Sequence, residues 1–545
     1  MKEKLVGVYP SLQALPAAFR SAFTQLLPVR FESAADGCDR GRLDAALVLA
    51  ETAGNLLSPW PPGLRRFCVW PGEEPPLPKS DRAHTAQFSA SQVLDGRLRN
   101  RTLPHQQLEP VHAVALQSGD AVLARLDGSP VWVSRAEPRQ DIVSLPLPEL
   151  KDGEQALDYL NDGNYLRLLP LLHFLREVAA DAWQPPPLRA CLMFDDPNLR
   201  WRSYGFLDYR RLAELARQSG LHVALATVPL DAWGAHRATV KLFKENPGQL
   251  SLLIHGNDHT REELGRARSP EDQLRLLAQA LARISRFERS TGLRVARAIA
   301  PPHGACAKAG LAAMFALGFE GACISPWSLR HWAIQQDCPP AFGLQMAELM
   351  AGGFPVLPRF RLSESCEAKI AIAAFLDLPI IPVGHHHTVA GGFDLLARTA
   401  DITASLGGVH WGSPEMILRS NFASRREDST LLVRPYSARI RFQVPSGVTT
   451  LRIAPPGEVA FRVAAVEAGH ASSSGHEPIP VHAGEELEVV AEGLGAVDYT
   501  QVGRPPSSWW PLPRRILTEV RDRLQPLVYS VRRRQRQSLG NWGGD

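Results

Sequence analysis

Nowhere in the 545 residues is there an unbroken apolar run of about 18, the length a helix needs to cross a bilayer. Cysteine is sparse: seven residues (Cys38, Cys68, Cys191, Cys306, Cys323, Cys338, Cys366), odd in number and without a Cys-x-x-Cys pair. That pattern argues against a disulfide framework and a structural zinc ribbon, and favours a reducing compartment. Met1-Lys2-Glu3-Lys4-Leu5-Val6-Gly7-Val8 has two lysines but no apolar core before Pro10, so no secretory signal is expected. The expected location is the cytoplasm, with at most a peripheral hold on the inner membrane face. No recognised nucleic-acid module is present, so no nucleic-acid partner is expected. What is present, 45% apolar and 21% charged residues, is the composition of a soluble globular protein. The length calls for three or four domains.

The net charge of +4 is unevenly spread. Between Arg504 and Arg536 nine arginines face only Glu519 and Asp522, a local +7 that leaves −3 for the rest.

Residues 1–150 read as an α/β domain. Leu5–Val8 and Asp44–Ala50 suggest strands, Leu12–Leu26 a helix, and Ala121–Val133 a hairpin turning at Asp127-Gly128. The pattern resembles the flavodoxin-like domains related to glutamine amidotransferases, but no nucleophile elbow with a central Cys is present, so a packing or docking role is expected. Residues 151–187 form a helical linker ending in Pro185-Pro186-Pro187. From 188 to 425 strands and helices alternate, as in a parallel sheet, closed or open. Short alternating segments in 429–503 suggest a small β-sandwich, and 504–545 is a basic Trp- and Arg-rich tail.

Within 188–425, chemistry-bearing residues follow strand after strand. Asp195-Asp196 ends Leu188–Phe194; His255 and His259 follow Leu250–Ile254; Pro301-Pro302-His303-Gly304 follows Val295–Ala300; His385-His386-His387 follows Ile381–Gly384. In parallel sheets chemistry gathers at the C-terminal strand ends. An Asp pair alone is commonly a helix cap, and a His-x-x-x-His alone is commonly accidental; the zincin Glu is missing. Together, two imidazoles and a carboxylate leave open positions on a divalent metal, as a hydrolytic or oxidative centre needs.

Phe194-Asp195-Asp196, His255-x-x-x-His259, Pro301-Pro302-His303-Gly304 and Ile381-x-Val383-x-His385 resemble, in order, the motifs of the NodB-homology polysaccharide deacetylases, the family 4 carbohydrate esterases. The resemblance spans roughly 190–420. It implies a distorted (β/α) barrel of NodB type, flanked by the N-terminal α/β domain and the C-terminal sandwich. It implies Asp195 as general base, Asp196, His255 and His259 as ligands of a divalent metal (zinc the expected ion), and His385 as general acid, with His386 and His387 as alternates. The backbone N–H of His303, beside Pro302, would bind the oxyanion, and Trp327, Trp332 and Trp411 are candidates for stacking on sugar. Two departures stand out: Gly256 replaces the family's hydroxyl residue, and Ala300 stands where the family has an arginine paired with the catalytic Asp, leaving Arg297 as a substitute.

The implied activity is metal-dependent N-deacetylation of an N-acetylated sugar in a surface polysaccharide or lipid-linked glycan. The alternative is a catalytically inactive carbohydrate-binding or scaffold protein. A two-His-one-carboxylate iron oxygenase uses the same ligand types, but Asp far ahead of both His and the β/α setting speak against it. The tail mixes Trp509, Trp510, Ile516, Leu517, Leu524 and Leu527-Val528-Tyr529 with arginines, including Arg532-Arg533-Arg534. It can lie on an anionic membrane surface or pack on the protein. As a surface tail it would be removable without touching the metal site.

Overall fold

The computed structural model describes residues 3–35, 38–49, 60–70, 84–106, 111–136, 139–150, 154–161, 163–179, 183–335, 337–466, 471–472, 477–505 and 510–540. They form two compact units: Met1–Trp183 with Gln336–Gln345 and Glu367–Leu376, and Gln184–Gln335 with Met346–Cys366 and Asp377–Asp545.

The first unit holds a nine-stranded sheet. Its parallel half runs Val29–Ser33, Lys4–Tyr9, Ala45–Leu49, Arg65–Val69 and Gln140–Val143; its antiparallel half continues through Ser129–Arg135, Ala121–Leu126, His84–Phe88 and Thr102–His105. The hairpin expected at Asp127-Gly128 is present, both residues at positive φ (47° and 88°), as a two-residue turn with the strands' twist requires. The linker is not one helix: Ala156–Asn161 and Leu169–Val178 are separated by Gly163 at φ 83°. Ala50, at the end of one predicted strand, lies outside the described residues.

The second unit is built on parallel strands β1 (Leu192–Asp195), β2 (Val223–Thr227), β3 (Leu250–Ile254), β4 (Val295–Ile299), β5 (Gly321–Ile324), β6 (Phe354–Pro358), β7 (Phe360–Arg361) and β8 (Pro382–Gly384). They order as β6-β5-β4-β3-β2-β1-β8-β7, with Glu348–Met350 antiparallel outside β6. Apolar residues fill β1 to β6 almost without alternation, because both faces are covered. The sheet is mixed α/β and its order has two ends, so the strand pairing does not draw a closed ring. Those ends are nevertheless one chain segment: β6 pairs with β5, and β7, one residue later, pairs with β8. Small side chains (Cys191, Ala224, Ala226, Ala298, Cys323) make much of the central core.

The long helix Pro270–Thr291 has clear sequence-encoded ends. Ser269 accepts from the Asp272 N–H at 3.1 Å, proline occupies the first turn, and Gly292 at φ 67° ends it. Two four-stranded sheets between Phe422 and Ala491 share one core around Val433, Ile440, Leu451, Phe461 and Val489.

The C-terminal helix, Pro511–Gly540, is inside-out. Arg515, Glu519 and Asp522, spaced i, i+4, i+7, are buried together with Pro511 at the helix start, whereas Leu512, Ile516, Leu517, Val520, Leu524 and Leu527 face outward. The tail is therefore not a free appendage: its charged stripe packs on this unit. Ser508, Trp509 and the side chains of Arg532, Arg533 and Arg534 lie outside the described residues.

Candidate metal centre

Strand ends carry the site. The Asp196 N–H donates to Ala226 O (3.1 Å) at the end of β2, and the His255 N–H to Thr227 O (2.9 Å), which holds both residues just beyond the sheet. Asp196 (φ 84°), His259 (φ 54°) and His303 (φ 57°) are all non-glycine residues at positive φ. Such backbone costs energy and persists only where its surroundings enforce it. For His259 the enforcement is visible. Buried Glu263 accepts from the N–H of Asn257 (2.6 Å), Asp258 (3.0 Å) and Thr260 (3.3 Å). From the long helix, Gln279 and Arg283 hold Asn257 and Asp258. Gly256, at φ 63°, has no room for a Cβ, which would strike the Glu263 carboxylate and the Pro302 ring. The missing hydroxyl residue is thus explained by loop geometry.

The ligand atoms of Asp196, His255 and His259 lie within 4.8 Å of one another. His259 Nε2 is 3.2 Å and His255 Nε2 3.8 Å from Asp196 Oδ1. Tetrahedral ligands with bonds of about 2.1 Å stand roughly 3.4 Å apart, so the set has the spacing of a candidate metal site. Proton placement also fits. His255 Nδ1 lies 2.7 Å from Ala300 O, an atom that can only accept, so Nδ1 carries the proton and Nε2 presents a lone pair. Burial pushes both imidazoles down, His259 to about 3 despite the neighbouring Asp196, so they are neutral and ligand-competent. Burial would raise Asp196, but His259, His255, Arg515 and His385 outweigh it and hold the carboxyl well below its usual range.

A second group, Asp141, His173 and Glu177 in the first unit, is equally tight but has the wrong proton placement. There His173 Nε2 accepts the Asp95 N–H at 3.1 Å, so the nitrogen turned toward Glu177, 3.9 Å away, carries the hydrogen. A nitrogen bearing a hydrogen offers no lone pair to an ion.

Beside the triad, Asp195 is buried and meets a partner that the sequence reading missed. One Nη of Arg359 stands 2.9 Å from both carboxylate oxygens. Burial would raise the Asp195 carboxyl, but Arg359, His255 and His385 reverse this and keep it below its ordinary value. Arg297, expected to reach this Asp, instead pairs with Glu288 at 2.8 Å. Its side chain leaves the intermediate position of β4 toward the helix, whereas Arg359 sits between β6 and β7 where the chain crosses to β8. The signal was available: an arginine directly after the buried strand Phe354–Pro358.

A cleft of about 480 Å³ opens on these groups. Asp195, Asp196, His255, His259, His303, Arg359, His385 and His387 all line it. His385 Nε2 is 3.9 Å from Asp196 Oδ2 with its side chain 47% exposed, and its ring stacks on His387. His386 turns away: it is buried, against Tyr204 and Phe206 and 3.7 Å from Asp522, so of the two alternates only His387 reaches the cleft. Pro302 packs behind His303 against the Gly256 loop. Neither Trp327, exposed and stacked on His331, nor Trp411, paired in a short strand with Ala190, lines the cleft. Trp332 packs against Gly265.

The C-terminal helix reaches the same centre. Arg515 is 3.5 Å from Asp196 Oδ1 and pairs with buried Asp231 at 2.6 Å; Arg514 donates to His259 O at 2.8 Å. Removing 505–545 would therefore disturb the metal centre, contrary to the sequence-based expectation.

No protein-family model matches the chain, and no curated protein matches it. Among solved structures, it is similar to a family 4 carbohydrate esterase from Streptomyces lividans in complex with acetate (14% identity, 43% of this chain and 94% of that one, TM-score 0.25). Another is the family 4 domain of a multidomain xylanase from the hindgut metagenome of Trinervitermes trinervoides (10% identity, 43% and 90%, TM-score 0.26). A third is a family 4 pseudoenzyme from Bacillus anthracis (12% identity, 37% and 71%, TM-score 0.21). At TM-scores this low the function has to be read from the side chains themselves. The structural neighbours of the chain nonetheless include polysaccharide deacetylases of carbohydrate esterase family 4.

Proposed function

We propose that the chain is a metal-dependent N-deacetylase acting on an N-acetylated sugar of a surface polysaccharide or lipid-linked glycan. The observation that supports this most is the pairing, in one cleft, of a ligand triad whose His255 is in its metal-binding tautomer with a buried carboxylate held anionic beside it. Asp196, His255 and His259 would hold the ion, zinc by ligand type. When bound, such an ion acidifies a water and polarises an acyl carbonyl. Asp195 takes the water's proton. Arg359 keeps that carboxylate ionised and so able to accept a proton. His385, or His387 beside it, gives a proton to the sugar nitrogen as the C–N bond breaks, so that acetate and a free amine leave. The His303 N–H, in the strained turn after β4, would meet the developing oxyanion. The layout read for the chain is a distorted (β/α) barrel, supported by β6 and β7 serving both ends of the strand order, with an N-terminal α/β domain and a C-terminal sandwich.

The test is elemental analysis of the purified protein, followed by acetate release from N-acetylated oligosaccharides. About one zinc per chain with acetate release supports the reading. No metal after reconstitution moves the protein to the inactive binding or scaffold class.

We also read the outward face of the C-terminal helix as a membrane-surface contact. Both of its acids, Glu519 and Asp522, are turned inward, which leaves apolar residues flanked by exposed Arg521. Such a face suits an anionic lipid surface and a substrate at the membrane. Among the described residues no helix is long and apolar enough to cross a membrane. Ile516→Glu with Leu524→Glu, both at exposed positions, should abolish cosedimentation with phosphatidylglycerol-containing vesicles in low salt and leave zinc content unchanged. Undiminished binding would show that this face is not the anchor.

A further inference from the structure

The C-terminal helix turns inward what a surface helix turns outward. Arg515, Glu519 and Asp522 are 2%, 5% and 3% exposed, while the apolar residues between them face solvent. Burying a guanidinium is costly unless carboxylates surround it in good geometry. Two do. Asp231, fully buried, takes Arg515 Nε at 3.1 Å and Nη2 at 2.6 Å, and Asp196 Oδ1 stands 3.5 Å from Nη1. That oxygen is the one both ligand imidazoles face. The preceding residue, Arg514, donates to the carbonyl of His259, whose backbone is held at positive φ. Consecutive residues of one helix thus touch two of the three metal-ligating residues.

We propose that Arg515 is a positioning residue of the metal centre: braced by Asp231, its guanidinium holds the Asp196 carboxylate so that Oδ1 faces both imidazoles. The proposal rests on the metal reading above. It has one rival on the same contacts, a cationic plug that fills the metal's place. Geometry favours the brace. Arg515 is not among the residues lining the cleft, whereas Asp196, His255 and His259 all are. A ligating carboxylate oxygen has a second lone pair, and an outer hydrogen bond to it fixes the rotamer that the ion needs. The rest of the helix is seated to hold that contact. Glu519 pairs with Arg200 at 2.9 Å and Arg523 at 2.8 Å, and Asp522 accepts from Tyr204 at 3.0 Å and faces His386. The centre is therefore complete only while the helix is seated, even though its last contributor lies 319 positions from Asp196 in the chain.

The two readings predict opposite signs. Removing a brace weakens metal binding; removing a plug tightens it. The test titrates full-length, chelator-treated protein with Co²⁺ and records its visible absorption, comparing wild type with Arg515→Gln, Arg515→Lys and Asp231→Asn. Arg515→Gln is expected to weaken Co²⁺ binding about 10–100-fold, the usual effect of losing an outer-shell partner, and to shift the band. Arg515→Lys, which keeps the charge but not the fork, should recover part of the loss. Asp231→Asn, nearly isosteric and not itself in contact with the triad, should reproduce part of it, and covers the case in which Arg515→Gln does not fold. Wild-type affinity and band in both Arg515→Gln and Asp231→Asn would overturn the proposal, as would tighter binding in either. A wild-type protein that binds neither Co²⁺ nor zinc would instead sink the metal reading, and this proposal with it.

Discussion

Asp195→Asn is expected to keep bound metal and lose turnover, and Asp196→Ala is expected to lose the metal itself. The two residues are adjacent in sequence, but β1 ends between them and the backbone reverses to φ 84° at Asp196, so their side chains diverge. Asp196 meets the imidazoles; Asp195 meets Arg359. In Asp195→Asn the amide still fills the buried site but accepts no proton, which should lower kcat by about 10²–10⁴-fold, the range of general-base catalysis. Elemental analysis should still find about one ion per chain. Asp196→Ala leaves two neutral imidazoles, too few to retain zinc through dialysis. If Asp195→Asn keeps full activity, the base is misassigned; if Asp196→Ala keeps its zinc, the triad is.

The order of motifs was legible because each motif follows its own apolar strand, and local sequence encodes where a buried strand stops. That is why Asp196, His255, His259 and His385 could be picked out at Phe194, Ile254 and Gly384. What could not be read locally was pairing between distant segments. Arg359 lies 164 positions from Asp195, and nothing near either residue announces the other. Arg297, three residues ahead of Ala300, was expected to reach back, but an odd offset along a strand turns a side chain to the other face, where it meets Glu288. The tail misled in a different way. It was expected to lie on an anionic membrane surface or to pack on the protein, and an amphipathic helix that packs on a protein ordinarily buries its apolar face. The opposite face was chosen because Asp231, Asp196, Arg200 and Tyr204 already present charge and hydrogen-bonding groups where the helix lands. Amphipathicity tells that a helix has two faces; which one packs depends on the surface it meets.

Arg359 carries the second large expectation. Arg359→Met keeps a side chain of similar length at a site 6% exposed, but strips the buried Asp195 carboxylate of its main counter-charge. Breaking a buried pair by removing one partner costs about 3–5 kcal/mol, since the remaining charge stays desolvated. The pH dependence has a definite sign. In the wild type the Asp195 carboxyl is depressed, so the pair stabilises the fold above the unfolded carboxyl value and this is lost as pH falls through the folded one. Without Arg359, burial dominates and the carboxyl rises above its unfolded value, so ionised Asp195 becomes a liability at neutral pH. Urea melts of chelator-treated protein should therefore show the largest gap between wild type and Arg359→Met near pH 7. The gap should narrow as the pH is lowered toward about 4, the range in which free carboxylates protonate. Adding Asp195→Asn to Arg359→Met should restore much of the stability at pH 7 while leaving the enzyme inactive, because the amide needs no cation. A gap independent of pH, or a double variant no more stable than Arg359→Met alone, would mean that Arg359 acts through packing rather than through its charge on Asp195.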